Sequence, residues 1–265
     1  MPRCDSLTLL DDEVSACRAC PRLVAWRELV AREKRAAYLD WEYWGRGVPG
    51  FGDREATVLV LGLAPAAHGA NRTGRVFTGD RSGDWLFRAM HRAGFANQPT
   101  SVSADDGLAL TGAWVTAAVK CAPPDNTPMP DERVRCSPFI EREIALLDRL
   151  KVVVCLGNFA YQAACGLLGV RPRPKFGHGV EVPLGTGELT ILCSFHPSQQ
   201  NTFTGKLTEP MLDAIFSRAG ELSRRAESNR AELSSRATAA HQSSAYPKGR
   251  PTGGPRTRLL RRRSR

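Results

Sequence analysis

Several common signatures are missing from this 265-residue chain, and each absence excludes a class of protein. No apolar run approaches the roughly 18 residues that a membrane span needs, so we expect no membrane association. The first residues, MPRCDSLTLLDDEV, lack the basic and then apolar regions of a secretory signal, so we expect a cytoplasmic protein. A Gly-Lys-Ser/Thr phosphate loop and a GxSxG motif are also missing, which argues against a P-loop nucleotidase and a serine hydrolase.

The excess positive charge lies in one segment. The chain has 37 Lys and Arg against 27 Asp and Glu, a net charge of +10. The twelve basic and two acidic residues of 223–265 account for all of it. Because that segment has few large apolar residues, we expect a folded domain over 1–221 followed by a disordered basic tail over 222–265. Its composition suits either a sequence-independent contact to DNA phosphates or a solubilising extension.

Apolar runs alternate with amphipathic segments in the rest of the chain. Four runs predict strands that are covered on both faces: 57–61, 114–119, 152–156 and 189–195. Three helices are predicted: 83–93, 137–147 with a Ser137-Pro138 cap, and 158–168. This alternation predicts an α/β fold, with helices on both sides of a central, mainly parallel four-stranded sheet.

Three of the predicted strands run directly into long polar loops. The loops are GLAPAAHGANRTGRVFTGD at 62–80, KCAPPDNTP at 120–128 and HPSQQNTFTGKLT at 196–208. In an open parallel sheet the ligand binds beyond the carboxyl ends of the strands, so we expect these loops to converge on one site. The glycine-rich first loop lets backbone approach a ligand closely, but it lacks the GxGxxG fingerprint of a dinucleotide site.

One residue in each loop is a candidate for binding or catalysis. Phe77 offers a stacking surface for a planar base, or it simply anchors its loop to the core. The carboxamide of Asn126 offers a donor and an acceptor that match the edge of uracil, although Asn between prolines is also a common turn residue. His196 ends a buried strand and could stabilise negative charge on a departing group, unless backbone groups satisfy its ring.

Other polar residues of the first loop have weaker claims. Asp80 could act as an acid or base, but it precedes a predicted helix, where N-capping is the commoner role. His68 and Asn71 are either polar contacts to a ligand or ordinary turn residues.

The eight cysteines separate into two groups by their surroundings. Three fall within apolar strands or a helix and are expected to be buried and structural: Cys155, Cys165 and Cys193. Four fall in polar segments and could bind one zinc ion or one iron–sulfur cluster: Cys17, Cys20, Cys121 and Cys136. The pair in CRACP also has the spacing of a redox motif, and Cys4 could replace one of the four ligands. Disulfides are not expected in a cytoplasmic chain.

These motifs together resemble the iron–sulfur-containing type 5 branch of the uracil-DNA glycosylase superfamily. The resemblance rests on the three polar loops and the four cysteines and covers nearly all of residues 15–220. It implies a monomeric α/β/α sandwich that acts on double- and single-stranded DNA and hydrolyses the N-glycosidic bond of uracil, with other deaminated bases such as hypoxanthine as further substrates.

The resemblance also implies a role for each candidate residue. Cys17, Cys20, Cys121 and Cys136 would hold a structural [4Fe-4S] cluster. Phe77 would stack on the flipped base, Asn126 would recognise its edge, and His196 would stabilise the leaving base. The substrate-binding set further includes Gly62, Ala64 and Ser198.

The first loop departs from the pattern of other branches of the superfamily. Those branches place a carboxylate or Asn near its start to activate water, whereas here Gly62 is followed by Leu63, Ala64 and Pro65. Asn71, with Asp80 behind it, is then the expected catalytic group that positions water. An alternative for the whole chain is a non-catalytic DNA-binding protein with a structural metal centre, which would explain the tail and the cysteines but not the three loops.

Overall fold

A single six-stranded sheet organises the chain in a computed structural model that describes residues 5–185 and 188–225. The strands are β1 (Phe51–Gly52), β2 (Val58–Gly62), β3 (Ala113–Ala117), β4 (Val152–Leu156), β5 (Glu181–Leu184) and β6 (Leu189–Ser194). Their order is β1-β3-β2-β4-β6-β5. The four central strands are parallel, and β1 and β5 pair antiparallel with them at the two edges.

The four predicted strands therefore form the centre of the sheet, but the predicted strand number was wrong. The two edge strands lack the apolar runs by which the others were found. β1 has two residues, and in β5 exposed and buried positions alternate around Pro183. Short edge strands with proline avoid pairing with other chains, which explains why they carry so weak a sequence signal.

The central strands are buried on both faces, as their continuous apolar sequences predict. In β2, Val58 and Val60 pack into one apolar cluster, whereas Leu59 and Leu61 pack into another on the opposite face. The side chains alternate because successive residues of a strand point to opposite faces. Helices cover both clusters, so the three-layer α/β/α architecture is confirmed.

Seven named helices accompany the sheet. They are α1 (Leu7–Ala16), α2 (Pro21–Glu33), α3 (Ala70–Thr73), α4 (Arg81–Arg92), α5 (Pro130–Leu146), α6 (Asn158–Leu167) and α7 (Gln199–Phe203). Residues 209–225 are also helical. Phe87 of α4 and Phe216 of the 209–225 helix belong to one apolar cluster, and Ile140 of α5 and Tyr161 of α6 belong to the other.

The start of α5 differs from the sequence prediction. Ser137 and Pro138 do not cap a helix but lie inside one, where the Ser137 hydroxyl donates to the carbonyl of Val134 at 3.0 Å. The helix begins at Pro130, and the carboxylate of Glu132 accepts a hydrogen bond from the backbone N–H of Met129 at 2.7 Å. A proline in the first turn, here Pro130, and an acidic residue shortly after it, here Glu132, are ordinary signals for the start of a helix. They determine where α5 begins, and the later Ser137-Pro138 pair does not.

The described helix 209–225 continues past the predicted domain boundary at residue 221. The rest of the predicted tail lies outside the described residues, as does Cys4. Among the described residues no helix is both long and apolar enough to cross a membrane.

Candidate active site and cysteine cavity

A cleft of about 820 Å³ lies at the carboxyl ends of the central strands. The first loop contributes Ala64, His68, Phe77 and Asp80, the second Asn126, and the third His196 and Ser198. The expected convergence of the three loops is therefore observed. The loops meet because β2, β3 and β6 run parallel and end at the same edge of the sheet.

Phe77 is held in a strained position on the wall of the cleft. Its backbone has a φ of 53°, in the left-handed region that residues with a Cβ rarely adopt. Its ring lies over Gly62, where a Cβ would come within 2.6 Å of the ring. Its carbonyl oxygen lies against Gly83 of α4, where a Cβ would come within 1.8 Å. Two glycines thus make room for this aromatic side chain.

Asn126 presents a free amide to the cleft. It ends a short 3-10 turn, Pro124–Asn126, and both Asp125 and Asn126 have a φ of 53°. The backbone N–H of Thr127 closes the turn by donating to the carbonyl of Pro124 at 2.9 Å. The Asn126 side chain is exposed and makes no hydrogen bond to another described residue, so its donor and its acceptor are available to a ligand.

His196 lies two residues beyond the end of β6 and faces Phe77. The two rings are 5.9 Å apart between centroids, with an interplanar angle of 34°. The side-chain amide of Asn201 donates to the His196 carbonyl at 2.9 Å and fixes the backbone. Burial lowers the pKa of His196 to about 4. The ring is therefore neutral at physiological pH, with one N–H donor and one acceptor nitrogen.

Two polar residues of the cleft also act as helix caps. The Asp80 carboxylate accepts from the backbone N–H of Gly83 at 2.9 Å and caps α4. Burial raises the pKa of Asp80 above its usual value. Ser198 caps α7 through a hydrogen bond from the Asn201 N–H to its hydroxyl oxygen. Both residues nevertheless line the cleft.

Asn71 and Gly62 lie behind the cleft and not on its wall. Asn71 is fully buried in α3, and its amide donates to the carbonyl of Arg27 at 3.1 Å. Gly62 lies beneath the Phe77 ring. His68 does line the cleft, where its Nδ1 is 3.1 Å from the hydroxyl of Tyr43.

Part of the cleft wall was missed by sequence reasoning. Arg35 and Tyr38, after α2, line the cleft opposite the loops. The guanidinium of Arg72 lies between the rings of Tyr38 and Trp41, 4.0 Å from each centroid. It also donates to the carbonyl of Gly79 at 3.0 Å. The dense aromatic segment around Trp41 was the available signal for this wall.

The four cysteines of the polar segments line one small cavity away from the cleft. Cys17 ends α1 and Cys20 precedes α2, so the CxxC segment forms the corner between these helices. Cys121 follows β3, and Cys136 lies within α5. Among the described residues, no three His, Cys, Asp or Glu side chains are placed to hold a single metal ion. Cys155, Cys165 and Cys193 are buried elsewhere, as predicted.

Two donors point at sulfur atoms of this cavity. The buried guanidinium of Arg27 donates to Cys121 Sγ at 2.8 Å and to the Cys17 carbonyl at 2.8 Å. The backbone N–H of Lys120 donates to Cys136 Sγ at 3.2 Å. The Lys120 ammonium, which is buried beside the cavity, is paired with Glu143 at 2.7 Å. Burial raises the pKa of the Cys136 thiol to about 12.

Comparison with known proteins identifies the family to which this fold belongs. The family model of the uracil DNA glycosylase superfamily matches residues 49–219. A type-5 uracil-DNA glycosylase of Mycobacterium tuberculosis is 56% identical over 220 residues, which is 82% of each chain. The type-5 enzyme of Mycobacterium leprae is 53% identical over 82% of this chain and 96% of its own. That of Thermus thermophilus is 49% identical over 79% and 94%. The chain therefore belongs to the type-5 family of the uracil-DNA glycosylase superfamily.

The buried neutral state of His196 predicts a loss of stability in acid. Its pKa is lower in the folded than in the unfolded protein, so the unfolded chain binds the extra proton between pH 6.5 and about 4. We expect the free energy of unfolding to fall across this window by up to about 3 kcal/mol more in the wild type than in His196→Gln. Denaturant unfolding at stepped pH measures this. His91→Gln, at an exposed position of α4, is the control, and an equal acid loss in wild type and His196→Gln would contradict the prediction.

The close approach of α4 to Phe77 predicts opposite effects of one substitution at two helical glycines. In Gly83→Ala the new methyl group would collide with the Phe77 carbonyl, so we expect a loss of about 1–3 kcal/mol of stability. In Gly166→Ala of α6 the space is open, and the higher helix propensity of alanine is expected to add about 0.5–1 kcal/mol. Urea unfolding of both variants tests this, and a stabilised Gly83→Ala would refute it.

Proposed function

We propose that this protein is a uracil-DNA glycosylase of base excision repair, which flips uracil out of DNA and hydrolyses its N-glycosidic bond. The observation that carries the proposal is that Phe77, Asn126 and His196, far apart in sequence, line one cleft at the strand ends. Enzymes that act on a base inside DNA must take it out of the stack and read it in such a pocket.

Phe77 and Asn126 are suited to bind the extruded base. The face of an aromatic ring stacks on any nucleobase, which contributes about 1–3 kcal/mol per base. The Asn126 amide, which has no hydrogen-bond partner among the described residues, offers the donor–acceptor pair that complements uracil. The Phe77 ring is already held by its packing over Gly62 before the ligand arrives, so less ordering of this side chain is needed on binding.

His196 is suited to stabilise the departing base. As the bond between C1′ and N1 breaks, its electron pair moves onto the uracil ring and the sugar becomes cationic. A neutral imidazole can donate its N–H to the oxygen on which negative charge accumulates. A water molecule then adds its oxygen to C1′, and the proton that it releases neutralises the departing uracil anion, so the products are an abasic sugar and neutral uracil. Asp80, which lines the cleft, is better placed to orient this water than Asn71, which lies behind it.

The substrate range follows from the same cleft. At about 820 Å³ it has room for a purine as well as a pyrimidine, and we include hypoxanthine among the substrates. Both double- and single-stranded DNA are proposed as substrates of a monomer. The seven described cysteines are unpaired, which suits the reducing conditions of the cytoplasm.

We further propose that Cys17, Cys20, Cys121 and Cys136 hold a structural [4Fe-4S] cluster. Arg27 fits this centre, because its guanidinium is buried, contacts sulfur and has no carboxylate partner among the described residues. A thiolate-ligated centre would supply the missing negative charge and keep the buried thiols ionised. When bound, the cluster would join α1, α2, α5 and the loop after β3 through covalent ligands.

Excision activity gives the first test. We expect the wild type to release uracil from an oligonucleotide, and His196→Ala to lose about 100- to 1,000-fold in single-turnover rate, because one donor to a developing negative charge is worth about 3–4 kcal/mol. Asp80→Ala should lose less, and Asp80→Asn, which keeps the cap on α4, less still. Alkaline cleavage of the abasic product measures the rates.

Two outcomes would contradict the proposal. Equal losses in His196→Ala and Asp80→Ala would overturn the role given to His196. Binding of uracil-containing DNA without release of free uracil by the wild type would instead support a DNA-binding protein with a structural metal centre.

The cysteine centre has its own test. The freshly purified protein should be brown, with a broad absorption band near about 400 nm from thiolate-ligated iron. Cys121→Ser should lose this band, whereas Cys165→Ser, which alters a buried cysteine outside the cavity, should keep it. A colourless protein that contains zinc would show that the ligands are right and the cluster is wrong.

A further inference from the structure

A second cleft adjoins the base-binding cleft. It has a volume of about 580 Å³, and Leu63 and His196 line both clefts. It is therefore continuous with the cleft where the glycosidic bond of the flipped nucleotide would lie. None of the roles assigned above uses this second cleft, although it shares the leaving-group residue His196 with the first.

The charge in the second cleft has one sign. Lys175 and Lys206 line it, and none of its lining residues is acidic. Both lysines are exposed, and neither forms an ion pair with any described carboxylate. Several arginines of the described surface are instead paired, as Arg92 is with Asp213 and Arg218 with Glu181. Two unpaired ammonium groups in one concave site favour an anion.

Aromatic rings form the rest of this wall. The rings of Phe176 and Phe195 are 6.2 Å apart, and the Lys206 ammonium lies 5.0 Å from the centroid of Phe195. Both rings are partly exposed. An apolar wall next to cationic groups matches a nucleotide, whose sugar and base are largely apolar and whose phosphate is anionic.

We propose that the second cleft binds the nucleotide next to the flipped one on the same DNA strand, with its phosphodiester between Lys175 and Lys206. This inference rests on the proposed glycosylase function, because the flipped nucleotide fixes the position of its neighbour. The strand enters both clefts past His196, and the second cleft holds the sugar–phosphate backbone while the base is read in the first.

Neutral backbone linkages test this contact directly. Single-stranded uracil oligonucleotides would carry one methylphosphonate in place of the phosphodiester on either side of the uracil. In the wild type we expect one of the two positions to weaken binding about tenfold, as for the loss of a charged hydrogen bond. In Lys175→Gln and Lys206→Gln the same replacement should have little further effect, because the contact is already missing.

The matched control is Arg54→Gln, which removes one positive charge at the opposite, amino-terminal end of β2. It should respond to methylphosphonates as the wild type does. Each lysine variant should also lower the slope of log affinity against log salt by about 0.7, the value for one phosphate contact on a single strand, and Arg54→Gln should not. The single-turnover rate of uracil excision is measured in the same samples.

Two failures are distinguishable. The proposed contact is wrong if the wild type releases uracil but the lysine variants keep the wild-type slope of log affinity against log salt. It is also wrong if the loss of affinity in each lysine variant adds in full to the loss caused by either methylphosphonate. If the wild type releases no uracil, the glycosylase function itself fails.

Discussion

A buried guanidinium links the cysteine cavity to the loop that carries Phe77. Arg27 donates to Cys121 and to the backbone of Cys17, and its own carbonyl accepts from Asn71 of α3. A buried charge without a compensating partner costs several kcal/mol. The proposed thiolate-ligated centre would supply that compensation, and the hydrogen bonds of Arg27 connect it to the end of α1, to the loop after β3 and to α3.

The base-binding side chains depend on a second constraint, which is backbone strain. Phe77 and Asn126 both have positive φ, and such residues cost of order 1–3 kcal/mol each. Packing holds Phe77 in place, because Arg75 just before it forms a buried ion pair with Asp106 at 2.8 Å and donates to Thr78. Of the four described non-glycine residues with positive φ, Phe77 and Asn126 line the cleft, whereas Lys34 and Asp125 do not.

Sequence reasoning predicted the convergence of the three loops because the strand ends could be recognised. Continuous apolar runs identified β2, β3, β4 and β6, and a parallel arrangement brings the ends of their loops together. The sequence could not show that Asn71 faces Arg27 and not the cleft, because helix α3 is too short to have a readable periodicity. The edge strands β1 and β5 have no repeating apolar pattern, so their positions follow from tertiary contacts alone. For the wall formed by Arg35 and Tyr38, the aromatic residues around Trp41 were the available sequence signal.

The desolvation of the His196 ring determines its protonation state between the two clefts. A phosphodiester bound in the second cleft would bring negative charge near the imidazole and raise its pKa. At about 8 Å and an effective dielectric constant near 20, that interaction is about 2 kcal/mol, or roughly 1.5 pKa units. Because burial sets the pKa of His196 to about 4, the ring would remain neutral with the strand in place. A histidine with an ordinary pKa would instead become protonated as DNA bound. Burial therefore keeps the His196 imidazole neutral both before and after DNA binds. The ring can then donate its N–H to the departing base.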